Sequence, residues 1–420
     1  MLLQNDKCMT EIVATQVIQD FAIIMVVASV MALISYRLKQ PMVIGYIVAG
    51  IIIGPHTPPF SFILHPEILN LLAEMGIVLL LFVVGLEYPI AKLRSVGRKA
   101  LVIAFSEAFG TFGVGFIVGQ AIGMSVFDSL FIALAISVTS TVVLSRVLQE
   151  LGIAKTDVSS LLLGVTVIED IIIVSTLAVL QSVASSGTLS IQEIALSVVM
   201  VLAFIGGALF IGSKTIPKFV DLVSKTNQVD VLVVAILGVA FGLSFIANQL
   251  GISAAAGAFF AGVLVAESRS QATARVLTSP LKDMFAALFF VSVGALMDVS
   301  QLRLFIVPAL IFVGVSFAAK FITVYLSSKS QGLTKKASIQ TAFGSSASGG
   351  ELALVTAKGG ADVGATSAFV LPMVGTMTII TSFLSPYIVK FGWKLGDRLE
   401  PEPSPQNGRE EEKEPSKQDE

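Results

Sequence analysis

Residues 161–180 read LLLGVTVIEDIIIVSTLAVL, and this stretch decides what kind of protein the sequence describes. It is long enough to cross a bilayer as a helix, since a span needs about 20 apolar residues. Two adjacent carboxylates, Glu169 and Asp170, nevertheless stand near its middle. An ionisable group at that depth costs at least ~2.5–3.5 kcal/mol on insertion scales, so it usually faces a partner or water and marks an ion or proton pathway. The stretch therefore predicts a membrane helix that carries a functional site.

The composition of the whole chain agrees with a membrane protein. Of its 420 residues, 55% are hydrophobic and 13% are charged, whereas a soluble domain has about 25% charged residues. The single cysteine, Cys8, allows neither a disulfide framework nor a cysteine metal cluster. The two histidines, His56 and His65, fall in one short connection, which disfavours a zinc site or a histidine-built catalytic centre. We therefore expect neither an enzyme nor a bound cofactor, and we expect no nucleic-acid partner.

Thirteen apolar runs along the chain are candidate membrane spans. The second, ninth and tenth are short, and we expect them to be tilted or kinked helices packed within protein, where irregular backbone is tolerated. The candidates are residues 15–36, 41–54, 68–87, 100–123, 127–148, 159–183, 191–213, 229–249, 252–267, 281–297, 302–327, 337–357 and 365–391. The sequence thus predicts an all-α polytopic membrane protein with about 13 transmembrane helices.

The basic residues predict how these spans are oriented, because Lys and Arg accumulate in cytoplasmic loops. With the N-terminus outside, 23 of the 27 basic residues are cytoplasmic and three, Lys7, Arg303 and Lys358, are external. We therefore expect a multi-pass protein of the cell membrane with an external N-terminus and a cytoplasmic C-terminus. Its transmembrane domain is expected over 1–395. An acidic tail over 396–420 is expected to be disordered, since its last twenty residues include no aliphatic or aromatic side chain.

Two further ionisable residues lie at membrane depth, Lys320 in VPALIFVGVSFAAKFITVYL and Glu107 in LVIAFSEAFGTFGVGF. Because Glu169 and Asp170 are adjacent, they point about 100° apart on a helix. One of them can pair with Lys320 while the other faces water and binds a cation or a proton. The alternative is a static buried ion cluster that only fixes helix packing. For Glu107 the alternatives are an interhelical hydrogen bond or a protonated packing residue.

Two spans contain residues that make poor helix interiors, at 137–141 (SVTST) and at 344–350 (GSSASGG). If spans 1–6 and 8–13 are two repeats, each interrupted segment lies on the fifth helix of its half, and Glu107 and Lys320 both lie on fourth helices. Transporters built from inverted repeats bind ions at such matched interruptions, near the bilayer midplane. Close helix contact through small residues is the alternative for either segment alone. The carboxylate, hydroxyl and carbonyl oxygens gathered there suit a hard monovalent cation, which is Na⁺, Li⁺ or K⁺.

Five stretches of the chain carry a resemblance to a known family. They are PMVIGYIVAGIIIGP at 41–55, LAEMGIVLLLFVVGLEY at 72–88, AAAGAFFAGVLVAES at 254–268, FFVSVGALMD at 289–298 and GGELALV at 349–355. Over about residues 15–395 the chain resembles the monovalent cation:proton antiporter-2 family, which includes sodium/proton antiporters and Kef-type potassium/proton antiporters. The resemblance implies a homodimer in which each protomer has inverted repeats and two crossed discontinuous helices. It also implies a mobile core, at about 100–183 and 302–391, and a dimerisation scaffold formed by the remainder.

The resemblance places the transport site on the acidic pair, with Asp170 as the indispensable aspartate and Lys320 as the ion-pair partner of Glu169. We expect Na⁺ to bind at Asp170, with Thr139 and Ser140 completing its shell. The accessory candidates are Glu107, Ser346 and Glu351. The implied activity is the exchange of Na⁺ or Li⁺ for protons by an elevator movement of the core. Glu169 favours electrogenic exchange, since other members have Asn or Gln at that position. A K⁺/H⁺ antiporter of the Kef type is the alternative, and a Na⁺-coupled organic anion symporter is a remote one.

Overall fold

The apolar runs of the sequence form helices in the computed structural model, which describes residues 2–38, 40–57, 62–63, 66–87, 97–186, 191–298, 300, 302–346 and 350–399. Across those residues the secondary structure is helical and contains no strands. The helices in this part of the chain are α1 (Leu2–Arg37), α2 (Met42–Ile53), α3 (Pro66–Leu86), α4 (Arg98–Ala121), α5 (Val126–Ile136), α6 (Thr141–Glu150), α7 (Asp157–Ser186), α8 (Ile191–Gly207), α9 (Ser213–Ser224), α10 (Val229–Gln249), α11 (Ala254–Ala266), α12 (Gln271–Ala295), α13 (Leu302–Ser330), α14 (Lys335–Ser346), α15 (Glu351–Asp362) and α16 (Val370–Leu399), with a π-helical turn at Ala208–Gly212 that joins α8 to α9.

Eight helices of the described residues are long and apolar enough to cross a membrane, and four shorter apolar helices accompany them. The short second and ninth spans are confirmed as α2 and α11. The prediction of a short tenth span is wrong, because α12 begins at Gln271 and its polar first turns continue the helix beyond the apolar run. Large apolar side chains remain exposed, including Ile117, Val234 and Leu304. Such a surface suits a multi-pass membrane protein, whose helices face lipid.

Both predicted helix interruptions are confirmed. Helix α5 ends at Ile136 and α6 begins at Thr141, while α14 ends at Ser346 and α15 begins at Glu351; residues 347–349 of the second interruption lie outside the described residues. The two interruptions cross in contact, because a Cβ added at Gly350 would lie 3.0 Å from the Ser140 Cα. The fold therefore contains two crossed discontinuous helices.

Around the crossing, the fourth helices of the two predicted halves pack against each other and against the interrupted helices. Helix α4 packs against α5 and against α13, and α13 packs against α14. The largest buried apolar cluster joins side chains of α3, α5, α7, α11, α12, α15 and α16. At the C-terminal end, α16 continues to Leu399, so residues 396–399 are helical rather than part of a disordered tail, and the predicted tail at 400–420 lies outside the described residues.

Glycines allow two helix pairs beside the core to approach each other at backbone distance. On α3 and α11, a Cβ at Gly85 would overlap the carbonyl oxygen of Phe259, and a Cβ at Gly262 would overlap that of Phe82. The pair α2 and α12 repeats this arrangement. Small residues at such contacts replace the hydrophobic driving force that is missing between helices in lipid.

Gly262→Ala is therefore expected to destabilise the protein by about 1–3 kcal/mol, the usual cost of overpacking. The added methyl group meets backbone, which cannot rotate away as a side chain can. The measurement is the melting temperature of the detergent-purified protein. The control is Gly238→Ala on α10, an exposed position where an added Cβ has nothing within 4 Å. Equal melting temperatures for the two variants would show that the close approach of α3 and α11 is not required.

Candidate functional site

Asp170 lies in the middle of α7 and borders a small cavity at the crossing. The residue is 5% exposed, and the Thr141 hydroxyl donates a hydrogen bond of 3.3 Å to its Oδ2 atom. The cavity has a volume of about 40 Å³. Its lining comprises Val84, Glu87, Val138, Thr139, Ser140, Thr141, Asp170, Gly350, Glu351 and Leu352. The predicted residues Asp170, Thr139, Ser140 and Glu351 are thus brought together around one space.

Two half-helices begin at this cavity with their N-termini. The Ser140 hydroxyl caps α6 by accepting a hydrogen bond of 3.2 Å from the Val143 amide, and Gly350 precedes the first turn of α15. A helix N-terminus carries partial positive charge and attracts carboxylates. Asp170 and Glu351 supply that negative charge, since both line the cavity into which α6 and α15 open.

The cavity offers oxygen atoms of the kinds that bind hard monovalent cations. The carboxylate of Asp170, the hydroxyls of Ser140 and Thr141 and nearby backbone carbonyls could surround one ion. Within the described ranges, no group of three or more His, Cys, Asp or Glu side chains could hold a metal ion as those residues usually do.

Lys320 pairs with Glu107, so the expected pairing with Glu169 is corrected. The Lys320 Nζ atom lies 3.6 Å from Glu107 Oε1, and it donates hydrogen bonds of 2.6 Å to the Val138 carbonyl and 2.7 Å to the Thr139 hydroxyl. The reason is that α4 packs directly along α13 and places Glu107 at the depth of the lysine. Glu169 remains within electrostatic reach of both residues.

The Thr139 side chain contacts the Lys320–Glu107 ion pair, and the residue also lines the Asp170 cavity. Besides accepting from Lys320, its hydroxyl lies 3.1 Å from Glu107 Oε1 and 3.3 Å from the Ser345 carbonyl. The Ser345 hydroxyl also donates to Glu107. Glu107 therefore accepts hydrogen bonds from both interrupted helices, through Thr139 and Ser345. Lys320 places positive charge beside the carbonyl end of α5, where a cation is favourable.

Ser346 does not line the Asp170 cavity. It is buried, and its hydroxyl donates a hydrogen bond of 2.6 Å to the Ala342 carbonyl of its own helix. Glu351 does line the cavity, as does Glu87. Glu87 in turn accepts a hydrogen bond of 2.9 Å from Arg275.

Sequence reasoning missed two features of this region. The first is Thr141, whose hydroxyl donates a hydrogen bond to Asp170. The second is Lys358, which was expected in an external loop but is 3% exposed and pairs with Asp362 on α15. The sequence did carry a signal for the second feature, because lysine and aspartate four residues apart face each other on a helix.

A larger cavity of about 630 Å³ lies towards the other end of α7. Gln181 lines it, and this residue is about 16 Å along the helix from Asp170 at 1.5 Å per residue. Polar lining groups include Glu74, Asn248 and Asp362, while Val78, Leu177 and Val355 are also part of its wall. Residues of α7 and α15 line both cavities, together with residues of α3 or the residue after it, so the two cavities share a boundary between these helices.

Crossed discontinuous helices with a buried aspartate beside the crossing define the sodium/proton antiporter fold. The sodium/proton antiporter MjNhaP1 from Methanocaldococcus jannaschii, solved at pH 8, superposes with a TM-score of 0.68 at 18% identity, covering 92% of this chain and 99% of that one. The chain belongs to the sodium/hydrogen exchanger family, whose model, described as "Sodium/hydrogen exchanger, transmembrane", matches residues 23–394.

Curated relatives carry names of the same kind. The high-affinity Na⁺/H⁺ antiporter NhaS3 of Synechocystis is 28% identical over 83% of this chain and 76% of its own length. YbaL of Escherichia coli, whose name assigns it to the cation/proton antiporters, is 30% identical over 71% of this chain. The match spans only 55% of YbaL, so about half of that protein corresponds to this chain.

Proposed function

We propose that this chain is a secondary antiporter that exchanges Na⁺ or Li⁺ for protons across the cell membrane. The observation that carries the proposal is Asp170, a buried carboxylate at mid-depth of a membrane helix, which borders a cavity of oxygen ligands where two broken helices cross. Membership of the sodium/hydrogen exchanger family supports the same activity.

Competition for one carboxylate is the proposed basis of exchange. Asp170 holds either a proton or the cation, and the bound cation takes its remaining oxygens from Thr141, Ser140 and nearby carbonyls. Because a metal ion binds only the deprotonated ligand, each binding event expels the other occupant. Thr141 replaces Thr139 as the proposed hydroxyl ligand, since its hydroxyl donates a hydrogen bond to Asp170.

Alternating access would arise from movement of the core helices against the scaffold, in an elevator-type step. With the N-terminus outside, as the basic residues indicate, the small cavity beside Glu87 faces the cytoplasm and the 630 Å³ cavity faces the exterior. The apolar residues Leu177 and Val355 then lie between Asp170 and the exterior. A homodimer would hold the scaffold fixed while each core moves, and exchange of two protons per cation would make transport respond to membrane potential.

The proposal is tested with purified protein in proteoliposomes that enclose a pH-sensitive dye. Addition of Na⁺ or Li⁺ is expected to change the internal pH, and protein-free vesicles are the control. A response to K⁺ alone would identify a potassium/proton antiporter that uses the same site. No response to any of the three cations would contradict the proposed function.

A further inference from the structure

The predicted cytoplasmic end of the core carries an excess of exposed positive charge. Two buried apolar clusters bring the helix ends together there: one joins α6, α7 and α16, and the other joins α4, α7, α13 and α14. The acidic groups described at this end are Glu150, Asp157 and Asp397, and the first and last pair with Arg146 and Lys336. The further basic residues there, all exposed, are Arg98, Lys99, Lys155, Lys329, Lys335, Lys390, Lys394 and Arg398. We call this end of the core the basic face.

Among the described residues of the scaffold, the charges at the same end are more evenly matched. Arg275 pairs there with Glu87, and Lys282 pairs with Asp283. Three further acidic residues accompany the remaining basic ones, namely Asp221, Asp230 and Glu267. The excess positive charge therefore belongs to the core, and the general preference for basic residues in cytoplasmic loops does not account for its place.

The last turns of α16 form the most concentrated part of the basic face. Lys390, Lys394 and Arg398 recur every four residues, so they lie on one side of the helix over about 12 Å. We call these three residues the α16 stripe. Like charges at this spacing repel each other, and none of the three forms an ion pair with another described residue. The helix dipole favours a cation only in the last turn, so it accounts for Arg398 but not for the two lysines.

Residues 400–420, which lie outside the described residues, have the opposite charge. They carry eight acidic and three basic side chains, and Glu410, Glu411 and Glu412 form one run. Glu412 stands 13 residues after Leu399, a length of chain that spans at most about 45 Å. The acidic run can therefore return to the α16 stripe, which ends one residue before Leu399.

An anionic lipid headgroup is the other partner that such a stripe attracts, since lysines and arginines beside a membrane bind acidic lipids. Two features favour the chain's own acidic segment. Helix α16 has 30 residues and is about 45 Å long, whereas the hydrocarbon core is about 30 Å thick, so its last turns extend towards water. Covalent linkage also gives residues 400–420 a high effective concentration at the basic face.

We propose that residues 400–420 dock on the basic face of the core, with the run Glu410–Glu412 against the α16 stripe. The segment offsets the repulsion along α16 and lies beside Lys335 at the start of α14. The contact needs no secondary structure in the segment, which agrees with the disorder expected from its composition. It weakens as salt rises, because the screening length falls from about 10 Å at 0.1 M salt to about 3 Å at 1 M.

The test measures the distance between two spin labels on the full-length protein in nanodiscs of phosphatidylcholine. The labels are attached through Ser416→Cys and Ser330→Cys, in a background in which Cys8→Ser removes the single native cysteine. Ser330 is exposed at the end of α13, on the basic face. We expect a narrow distance distribution at about 0.05 M salt and a broad one at about 1 M.

Two sets of substitutions remove the charges from either side of the contact. The combined variant Glu410→Gln, Glu411→Gln and Glu412→Gln is expected to give the broad distribution at low salt, and so is Lys390→Gln, Lys394→Gln and Arg398→Gln. The matched control is Lys214→Gln, Lys218→Gln and Lys225→Gln, which removes three exposed lysines from the scaffold and should keep the narrow distribution. The glutamate set lies beyond α16, so it remains informative if the helix set fails to fold.

A broad distribution at low salt with all charges present would overturn the proposal. A narrow distribution that neither glutamine set broadens would overturn it as well, because other contacts would then hold the segment. Nanodiscs that contain phosphatidylglycerol separate the two partners. If this lipid broadens a distribution that is narrow in phosphatidylcholine, it competes with the segment for the basic face, and the docking is supported.

Discussion

Asp170→Asn is expected to reduce cation-driven pH change in proteoliposomes to the level of vesicles without protein. The amide keeps the size of the side chain and can still bond to Thr141, so the crossing should remain folded. It cannot be deprotonated, however, and therefore neither carries a proton nor supplies an anionic ligand. We therefore expect exchange to be abolished rather than partly reduced.

The matched control for this variant is Asp157→Asn, the same substitution at the exposed start of the same helix. It should keep wild-type exchange, apart from a small loss of helix stability where an anionic side chain favours the N-terminus. Size-exclusion profiles and melting temperatures would establish that both proteins are folded. Exchange that survives in Asp170→Asn would remove this aspartate from the transport site.

Lys320→Met is expected to destabilise the protein by about 3–5 kcal/mol, the usual cost of removing one partner of a buried ion pair. Methionine fills similar space but leaves the Val138 carbonyl and the Glu107 carboxylate without the lysine that contacts them. The measurement is the melting temperature in detergent. The pH dependence of residual exchange should also shift, because the variant removes the positive charge that lies beside Glu107.

Two further variants separate the ion pair from a general effect of the substitution. Lys329→Met changes an exposed lysine near the end of the same helix and should melt close to wild type. The double variant Lys320→Met with Glu107→Gln should recover part of the loss, because it removes the carboxylate that the first change leaves unpaired. If the single and double variants melt at the same temperature, the Lys320–Glu107 contact contributes little to stability.

Much of the site could be predicted from the sequence because depth in a membrane helix can be read from residue position. Glu107, Glu169, Asp170 and Lys320 all stand out as charges inside apolar runs, and all four are buried in the structure. The helix interruptions were visible as runs of small and hydroxyl residues that form helices poorly. These signals are local and need no knowledge of which helices are neighbours.

The pairing of those charges could not be predicted, because depth does not specify which face of one helix meets which neighbour. Two carboxylates lie at the depth of Lys320, and the direct packing of α4 along α13 selects Glu107 over Glu169. In the same way, which hydroxyl reaches Asp170 depends on where α6 begins. This helix begins at Thr141, whose hydroxyl donates to Asp170.

Lys358 was misplaced for a different reason. The apolar run ends at 357, so hydropathy alone assigns the next lysine to a loop. The helix continues to Asp362, and that aspartate pairs with the lysine across one turn. An ion pair at this spacing stabilises the helical turn in which it lies.

The most direct test of competition at Asp170 is the affinity of the purified protein for Na⁺, measured by isothermal titration calorimetry over a series of pH values. The account predicts that the dissociation constant rises as the pH falls, and that the rise approaches about tenfold per pH unit once the competing proton occupies most of the site. It also predicts no measurable binding to Asp170→Asn at any pH. An affinity that stays constant with pH, or that Asp170→Asn retains, would contradict the account.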